Sequence, residues 1–462
     1  MSRLRTPCGP PGPEEAGRVF GAVERAVPPA EAGRRAAAAL AALGLRARLE
    51  DTGGGRDPTA WWCRLFGGAQ DDFPLACGMG KGRPEEARLG ALFEAVEHYL
   101  TGPAGFDPGA VEPAAPAAIA AGPLRDDACA LLLSRMSGRR MACLRYRALS
   151  GPGEALMPMF LSAPWYVETG SAALRELAGD DCDYAHLMRY SCNSGSAVGV
   201  TPAEALLHAL NEAVERDALS LLLVRAFLGG EPLRPALIDP WTLPGDLARA
   251  HATAEELTGS TVHLLDITSD IGVPTMLAYT APTSRRPHRR GAGTSLDPAY
   301  AAWRCLAELV QTTLGERLPD PGVRARGEPS ALAAHPTLHA CGRFDLTGAL
   351  RQARVVPFPR AAGAAGAPGD QLRKVAAMVG ARGGSVYCRT VCALPGGVTA
   401  VHVVVPLLER FMLVTDGNLV VPGSRGRLAA AGRSTVVHPP GKLPKNCRTI
   451  DARLNGAAGF AD

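Results

Sequence analysis

The sequence predicts an α/β fold of the α+β kind, with mixed and antiparallel sheets packed against a few long helices. Three observations carry that expectation. Three runs have helical spacing of apolar positions, Pro84–Leu100, Pro202–Phe227 and Pro298–Leu314. Several short stretches rich in β-branched and aromatic residues, such as Trp61–Phe66 and Val398–Pro406, read as strands. Strands and helices do not alternate regularly enough for a Rossmann fold or a barrel.

Taken in order, residues 1–16 centre on Gly9-Pro10-Pro11-Gly12-Pro13 and read as a disordered tail. Residues 17–74 form an N-terminal extension or small subdomain. It carries a helical pattern from about Arg18, clearest over Ala30–Leu43, then strands at Leu45–Glu50 and Trp61–Phe66. The main domain is expected over 75–425. Gly78-Met79-Gly80-Lys81-Gly82 precedes its first long helix, where Pro84 suits an opening helical position. Gly102–Leu124 is rich in Ala, Pro and Gly and reads as a connection or short irregular helices. Strands are expected at Met141–Leu149 and Ala155–Phe160, and a strand pair at Thr261–Ile267 and Thr275–Thr280. Gly195–Gly199 is expected to turn before the long helix, with amides able to face phosphate. Ala361–Asp370 reads as a flexible connection with a helix after it. Residues 426–462 form a C-terminal tail.

The bulk properties exclude several classes. At 462 residues, 47% apolar and 20% charged, the chain suits a globular protein with an ample core. Its longest apolar runs fall short of a membrane span, and Met1–Gly17 lacks signal-peptide character. These features point to the cytoplasm. A net charge of +4 is too mild to imply nucleic acid. Of the 12 cysteines, Cys388 and Cys392 make the one close pair, with no second pair to complete a zinc set. The basic cluster Arg285-Arg286-Pro287-His288-Arg289-Arg290 reads as a solvated hairpin tip. No nucleophile elbow, zinc-protease helix or dinucleotide turn is present.

The chemistry lies in the three long helices. Glu94-Ala95-Val96-Glu97-His98 and Glu212-Ala213-Val214-Glu215-Arg216 nearly repeat each other. In a helix, carboxylates three apart share one face, about 5–6 Å apart at Cβ. Each face alone would ordinarily be solvated, with an apolar back such as Leu89, Leu92, Val96 and Tyr99. The third helix adds Arg304, Glu308 and Gln311, whose offsets return to within about 40° of one face. Glu204 lies about 20° from Glu215 around an ideal helix. Together the three faces offer the oxygen donors that magnesium prefers. His208, inside the long helix, reads as packing rather than as a base.

These segments resemble the YcaO family of ATP-dependent enzymes over roughly residues 75–410. Gly80-Lys81-Gly82 with Ala91–Glu97 is similar to its first nucleotide motif. Asn193–Gly199 with Glu204-Ala205 and Glu212–Asp217 is similar to the second, and Gly291-Ala292-Gly293 with Arg304–Gln311 to the third. The resemblance implies an ATP site between sheets with no Walker loop. Glu94, Glu97, Glu212, Glu215 and Glu308 would hold Mg2+ against the phosphates. Arg216 and Gln311 would contact phosphate or position the nucleotide, and Lys81 would contact phosphate. The implied reaction adds a nucleophile to a backbone amide of a ribosomally made peptide, then phosphorylates the amide oxygen. A Cys, Ser or Thr side chain gives an azoline, a sulfide gives a thioamide and an amine gives an amidine.

The implied partners are the precursor peptide and a protein resembling ubiquitin-activating enzymes or TfuA; a homodimer stays open. Gly90, His98 and Thr313 depart from the family pattern, where Ser, Arg and Arg are common. The chain also ends in Asn455–Asp462 without the Pro-rich tail of many azoline formers. A non-catalytic scaffold subunit is the competing reading.

Overall fold

The computed structural model describes residues 24–68, 73–284, 286–318, 330–359 and 366–432. The tail expected at 1–16, residues 433–462 of the tail expected over 426–462, and residues 361–365 of the connection at 361–370 lie outside them; the start of the C-terminal tail belongs to the helix Ser424–Ala430. A helix at Pro29–Leu43 leads into a three-stranded antiparallel sheet of β1 (Arg46–Asp51), β2 (Thr59–Phe66) and β3 (Ala76–Gly82). The boundary expected at 74/75 therefore falls between two hydrogen-bonded strands. β4 (Val111–Ala114), β5 (Met141–Ala148), β6 (Glu154–Pro158) and β7 (Ser196–Gly199) begin a second sheet. β8 (Ala236–Ile238), β9 (His263–Asp266), β10 (Thr275–Thr280), β11 (Arg289–Thr294) and β12 (Arg354–Val356) make a five-stranded sheet in the order β11-β10-β9-β8-β12. β13 (Tyr387–Ala393) and β14 (Thr399–Val404) complete the second sheet, which runs β4-β5-β13-β14-β7 with β6 on β5.

The helices that carry the acidic motifs begin where local chemistry starts them. The first spans Pro84–Thr101, and the Glu86 carboxylate accepts the Arg83 amide at 3.2 Å. The long helix spans Pro202–Leu223, capped by Thr201, whose hydroxyl accepts the Glu204 amide at 3.2 Å. It continues through a wider π turn at Val224–Leu228. The third spans Pro298–Gly315, with Asp297 capping Ala299 at 2.9 Å. In each, proline occupies the first turn, where its missing N–H costs nothing.

Two glycines explain how strands and acidic helices come so close. A Cβ on Gly80 would sit 1.9 Å from the Ala87 carbonyl oxygen, and one on Gly291 2.2 Å from that of Cys305. β3 thus lies directly on the first acidic helix and β11 on the third. These glycine-containing segments are strands built for close packing.

Three expectations change. Ser196–Gly199 is not a turn but the buried strand β7, paired with β14. The apolar Ala197 and Val198 have a sheet edge to join, and tertiary pairing overrides the turn signal of the flanking glycines. The basic cluster is not a solvated tip throughout. Arg289 and Arg290 belong to β11; Arg289 pairs with Glu316, and Arg290 is buried with its guanidinium 4.6 Å from the Phe344 ring centre. Arg285 lies outside the described residues. The helix Gly245–Thr258 was not expected, since its charged and alanine-rich face offers a weak apolar stripe.

Candidate nucleotide site

All eight candidate residues, Lys81, Glu94, Glu97, Glu212, Glu215, Arg216, Glu308 and Gln311, line one cleft of about 520 Å3. Lys81 comes from β3, Glu94 and Glu97 from the first acidic helix, Glu212, Glu215 and Arg216 from the long helix, and Glu308 and Gln311 from the third. The helical spacing that put each set on one face is what turns them inward together.

Their charges interact across helices. Burial pushes the Glu97 carboxyl well above the usual carboxylate range, and Glu212 and Glu94 push it further. Burial raises Glu94, with His98 and Lys81 partly offsetting it. Glu215 rises to about 7 through burial and the neighbouring Glu308. Glu308 differs: burial opposes its charge, yet Lys81, which forms an ion pair with it, and then Arg216 hold it below the ordinary value. Arg216 pairs with Glu212 at 3.2 Å one turn away.

Some groups are already engaged. The Gln311 amide donates to the Met79 carbonyl, tying the third helix to β3. The Gly195 amide, expected to face phosphate, donates to Glu212 at 3.3 Å instead. Two others are open: the Nε atoms of Arg216 and Arg304 are buried with no hydrogen-bond partner. Both residues line the cleft. A buried guanidinium N–H without an acceptor is costly, and an anion entering the cleft would supply one.

The fit to Mg2+ rests on this donor set. Among the described residues, no group of three or more His, Cys, Asp or Glu side chains stands ready to hold a metal ion. Magnesium usually keeps several waters and takes one or two carboxylates plus phosphate oxygens. A cleft of hard oxygen donors with cations for phosphate suits that mode of binding. Glu94, Glu97, Glu212, Glu215 and Glu308 would hold the ion, with Arg216, Arg304 and Lys81 toward the phosphates.

The cleft also gathers residues that had no assigned role at the level of sequence. Arg304, seen only as part of a polar strip, is one. His208, read as packing, faces the cleft 3.5 Å from Arg304 and is held neutral by burial and then by that guanidinium. Arg25 and the Ala26 amide hold Glu204 at 3.3 and 2.9 Å, and Asn211 donates to Glu24 at 3.1 Å. The N-terminal segment thus closes one side of the cleft. Glu204 in line with Glu215 was the available signal; the segment it recruits had none. Among the departures, the His98 Nδ1 lies 2.6 Å from the Cys77 carbonyl and the Thr313 hydroxyl donates to Leu309 at 2.7 Å. Thr313 serves local structure, whereas His98 also lines the cleft beside Glu94.

Residues 79–409 match the family model described as YcaO cyclodehydratase, ATP- and Mg2+-binding. A 130-residue stretch, 26% of this chain, is 36% identical to a protein of Rhizobium leguminosarum bv. trifolii described as an uncharacterized protein in the tfuA 3′ region. That stretch spans 30% of the relative's length. The structure of YcaO from Methanopyrus kandleri bound with AMPPCP and Mg2+ aligns with a TM-score of 0.58 at 20% identity, covering 91% of this chain and 98% of that one. A heterocyclase in complex with substrate and cofactor aligns at 0.59 and 17% identity, covering 84% of this chain and 54% of the other. These two likenesses show a shared fold. Since the family model covers well over half of its residues, the chain belongs to the YcaO family.

Proposed function

We propose that this protein uses ATP and Mg2+ to activate a backbone amide of a ribosomally made peptide, chiefly as an azoline-forming cyclodehydratase working in the cytoplasm. The observation that carries the reading is Glu97, a half-buried acid in the cleft whose charge is opposed by loss of solvent first, and then by Glu212 and Glu94. Such an arrangement is costly unless a cation binds there. The unsatisfied Nε atoms of Arg216 and Arg304 in the same cleft supply the complementary demand for an anion. A metal–polyphosphate pair meets both. The relative solved with AMPPCP and Mg2+ supports the same choice.

When bound, ATP with Mg2+ supplies a phosphoryl group that turns the amide oxygen into a good leaving group. The chain's own contribution is position and charge. Arg216 and Arg304 would hold phosphate oxygens, the carboxylates would fix the metal's orientation, and Lys81 would move between Glu308 and phosphate. The domain at 75–425 would do this work with a partner protein presenting the precursor peptide.

Thioamide formation is the second reading. It is favoured by the relative described from the tfuA 3′ region, and it would bring a TfuA-like partner.

Calorimetric titration with ATP tests the site, with and without Mg2+, on the native chain and on Glu215→Ala. Binding that requires magnesium and is lost in the variant supports the proposal. Indifference of the native chain to millimolar ATP, alone and with its genomic neighbours' products, would sink it.

A further inference from the structure

The six-stranded sheet carries a polar row that nucleotide binding does not use. His402 of β14 stands directly opposite Arg389 of β13 and Ser196 of β7. Directly opposed residues on neighbouring strands share a face. On the other side of β13, Arg147 of β5 faces Cys388, and continuing that register brings Tyr146 level with Arg389. Tyr146 and His402 are 2% and 3% exposed. Their rings meet edge to face, with the phenol oxygen 2.8 Å from Nδ1. His402 Nε2 lies 3.2 Å from the Ser194 carbonyl oxygen. A carbonyl can only accept, so Nε2 carries the ring proton and Nδ1 accepts from the Tyr146 hydroxyl. Burial holds the imidazole neutral, with its pKa down at about 4.

These groups border a chamber of about 50 Å3, walled on its apolar side by Phe106, Met159 and Trp165. Ser196 lines both this chamber and the nucleotide cleft. The space admits a few water-sized groups and no more. Aromatic and thioether walls suit a polarisable sulfur. Thr101, Asp107, Ser162 and Ser196 also line the chamber, so a hydroxyl or amine would exchange its water for a few polar partners, and the preference for sulfur rests on the apolar walls and on charge. Arg389 and Asp107 both line the chamber; the guanidinium favours sulfur that is gaining negative charge and the exposed carboxylate opposes it.

We propose that this chamber seats a sulfhydryl group and that the Tyr146–His402 pair takes its proton as sulfur adds to the amide carbon. The inference rests on the amide-activating reading above. The S–H bond breaks, its proton passes to the Tyr146 oxygen, and the hydroxyl proton of Tyr146 passes to Nδ1 of His402. The sulfur electron pair forms the C–S bond, while the carbonyl π pair moves onto oxygen. With its pKa at about 4 the resulting imidazolium is a short-lived carrier of the proton, and its Nε2–H stays on the Ser194 carbonyl. The oxyanion takes the phosphoryl group, and phosphate then leaves with the C–O electron pair. In ring closure the nitrogen lone pair forms C=N and the amide N–H proton leaves with the phosphate; with hydrosulfide the sulfur forms C=S and the N–H is kept. His402 gives its proton back through Tyr146 to water, and both side chains end as they began. One sulfhydryl chemistry has two sources here, a cysteine of the peptide or free hydrosulfide.

The test uses the full chain labelled with 15N in its histidine rings, the His402 signal being assigned by its loss in His402→Gln. Sodium hydrosulfide, N-acetylcysteine amide and N-acetylserine amide are titrated separately. A saturable shift of the His402 Nδ1 signal with either sulfur probe, absent with the serine probe and lost in Tyr146→Phe, supports the seat. Response to the cysteine derivative alone assigns the peptide side chain; response to hydrosulfide alone assigns free sulfide. No response to either, an equal response to serine, or a response that survives Tyr146→Phe overturns it. Calorimetry with ATP and Mg2+ on the same preparation separates the two proposals: retained nucleotide binding without a sulfur response removes the chamber alone.

Discussion

At the scale of single residues, Glu97 shows how a site conflicts with the stability of the chain that holds it. Burial, Glu212 and Glu94 all oppose its charge. Replacing it by Gln keeps the shape and removes the conflict. Glu97→Gln should therefore stabilise the ligand-free protein by about 0.5–2 kcal/mol near pH 8, read from urea unfolding. Magnesium-dependent ATP affinity should fall in the same variant by at least tenfold, about 1.4 kcal/mol. A variant that is less stable and binds ATP as before would show that Glu97 serves the fold. Arg304 makes the opposite case. Its Nε has no partner, so Arg304→Lys, which retains charge but not the planar fork, should weaken ATP binding with little loss of stability.

Secondary-structure elements show which parts of this protein were legible in its sequence. The three acidic helices were, because periodicity of apolar residues and proline at the first turn are local signals. The meeting of Glu94, Glu215 and Glu308 in one cleft was suggested by their aligned polar faces and made specific by the family resemblance, since nothing local says which faces will oppose. β7 was missed because the pairing of Ala197 and Val198 with β14 is wholly non-local. β11 was missed because its arginines looked solvated, whereas Glu316 and Phe344, distant in sequence, take them in. The Tyr146–His402 pair left no trace, as 256 residues separate its members. Gly80 was visible as part of a motif, but its reason is packing. Gly80→Ala would force β3 off the first acidic helix, costing about 1–3 kcal/mol and lowering ATP affinity through Lys81. Full stability in this variant, measured by thermal unfolding, would mean that strand and helix can separate freely.

Across the whole molecule, a junction of buried charge ties distant parts together behind the nucleotide site. Arg425, from the helix Ser424–Ala430, is 1% exposed and pairs with Asp217 at 2.7 Å and with Asp270. Asp217 directly follows Arg216 and also accepts the Glu409 amide at 2.9 Å. The late segment around 409–425 thereby fixes the part of the long helix that faces the cleft. Breaking one partner of such a buried pair typically costs about 3–5 kcal/mol, because the other is left charged in a dry place. Arg425→Met should lose stability on that scale, and Asp217→Asn in the same chain should restore part of it. Glu409 gives the junction a dependence on pH. Burial first, then Asp127 and Asp217, raise its carboxyl to about 7, although the Arg410 and Gly426 amides donate to it. Its value in the unfolded chain is near 4.5. Between these values the folded chain binds more protons than the unfolded one. The contribution of Glu409 is therefore fully present below about 4.5 and is lost as pH rises through about 7. Glu409→Gln has no proton to lose, but its NH2 cannot accept from both the Arg410 and Gly426 amides; it should fall below the native chain at pH 4.5 by about 1–3 kcal/mol and gain on it by up to about 3 kcal/mol between pH 4.5 and 8.5. Urea unfolding of both proteins at the two pH values reads the difference. A Gln variant that gains nothing on the native chain as pH rises would show that the native carboxyl is already ionised in the fold.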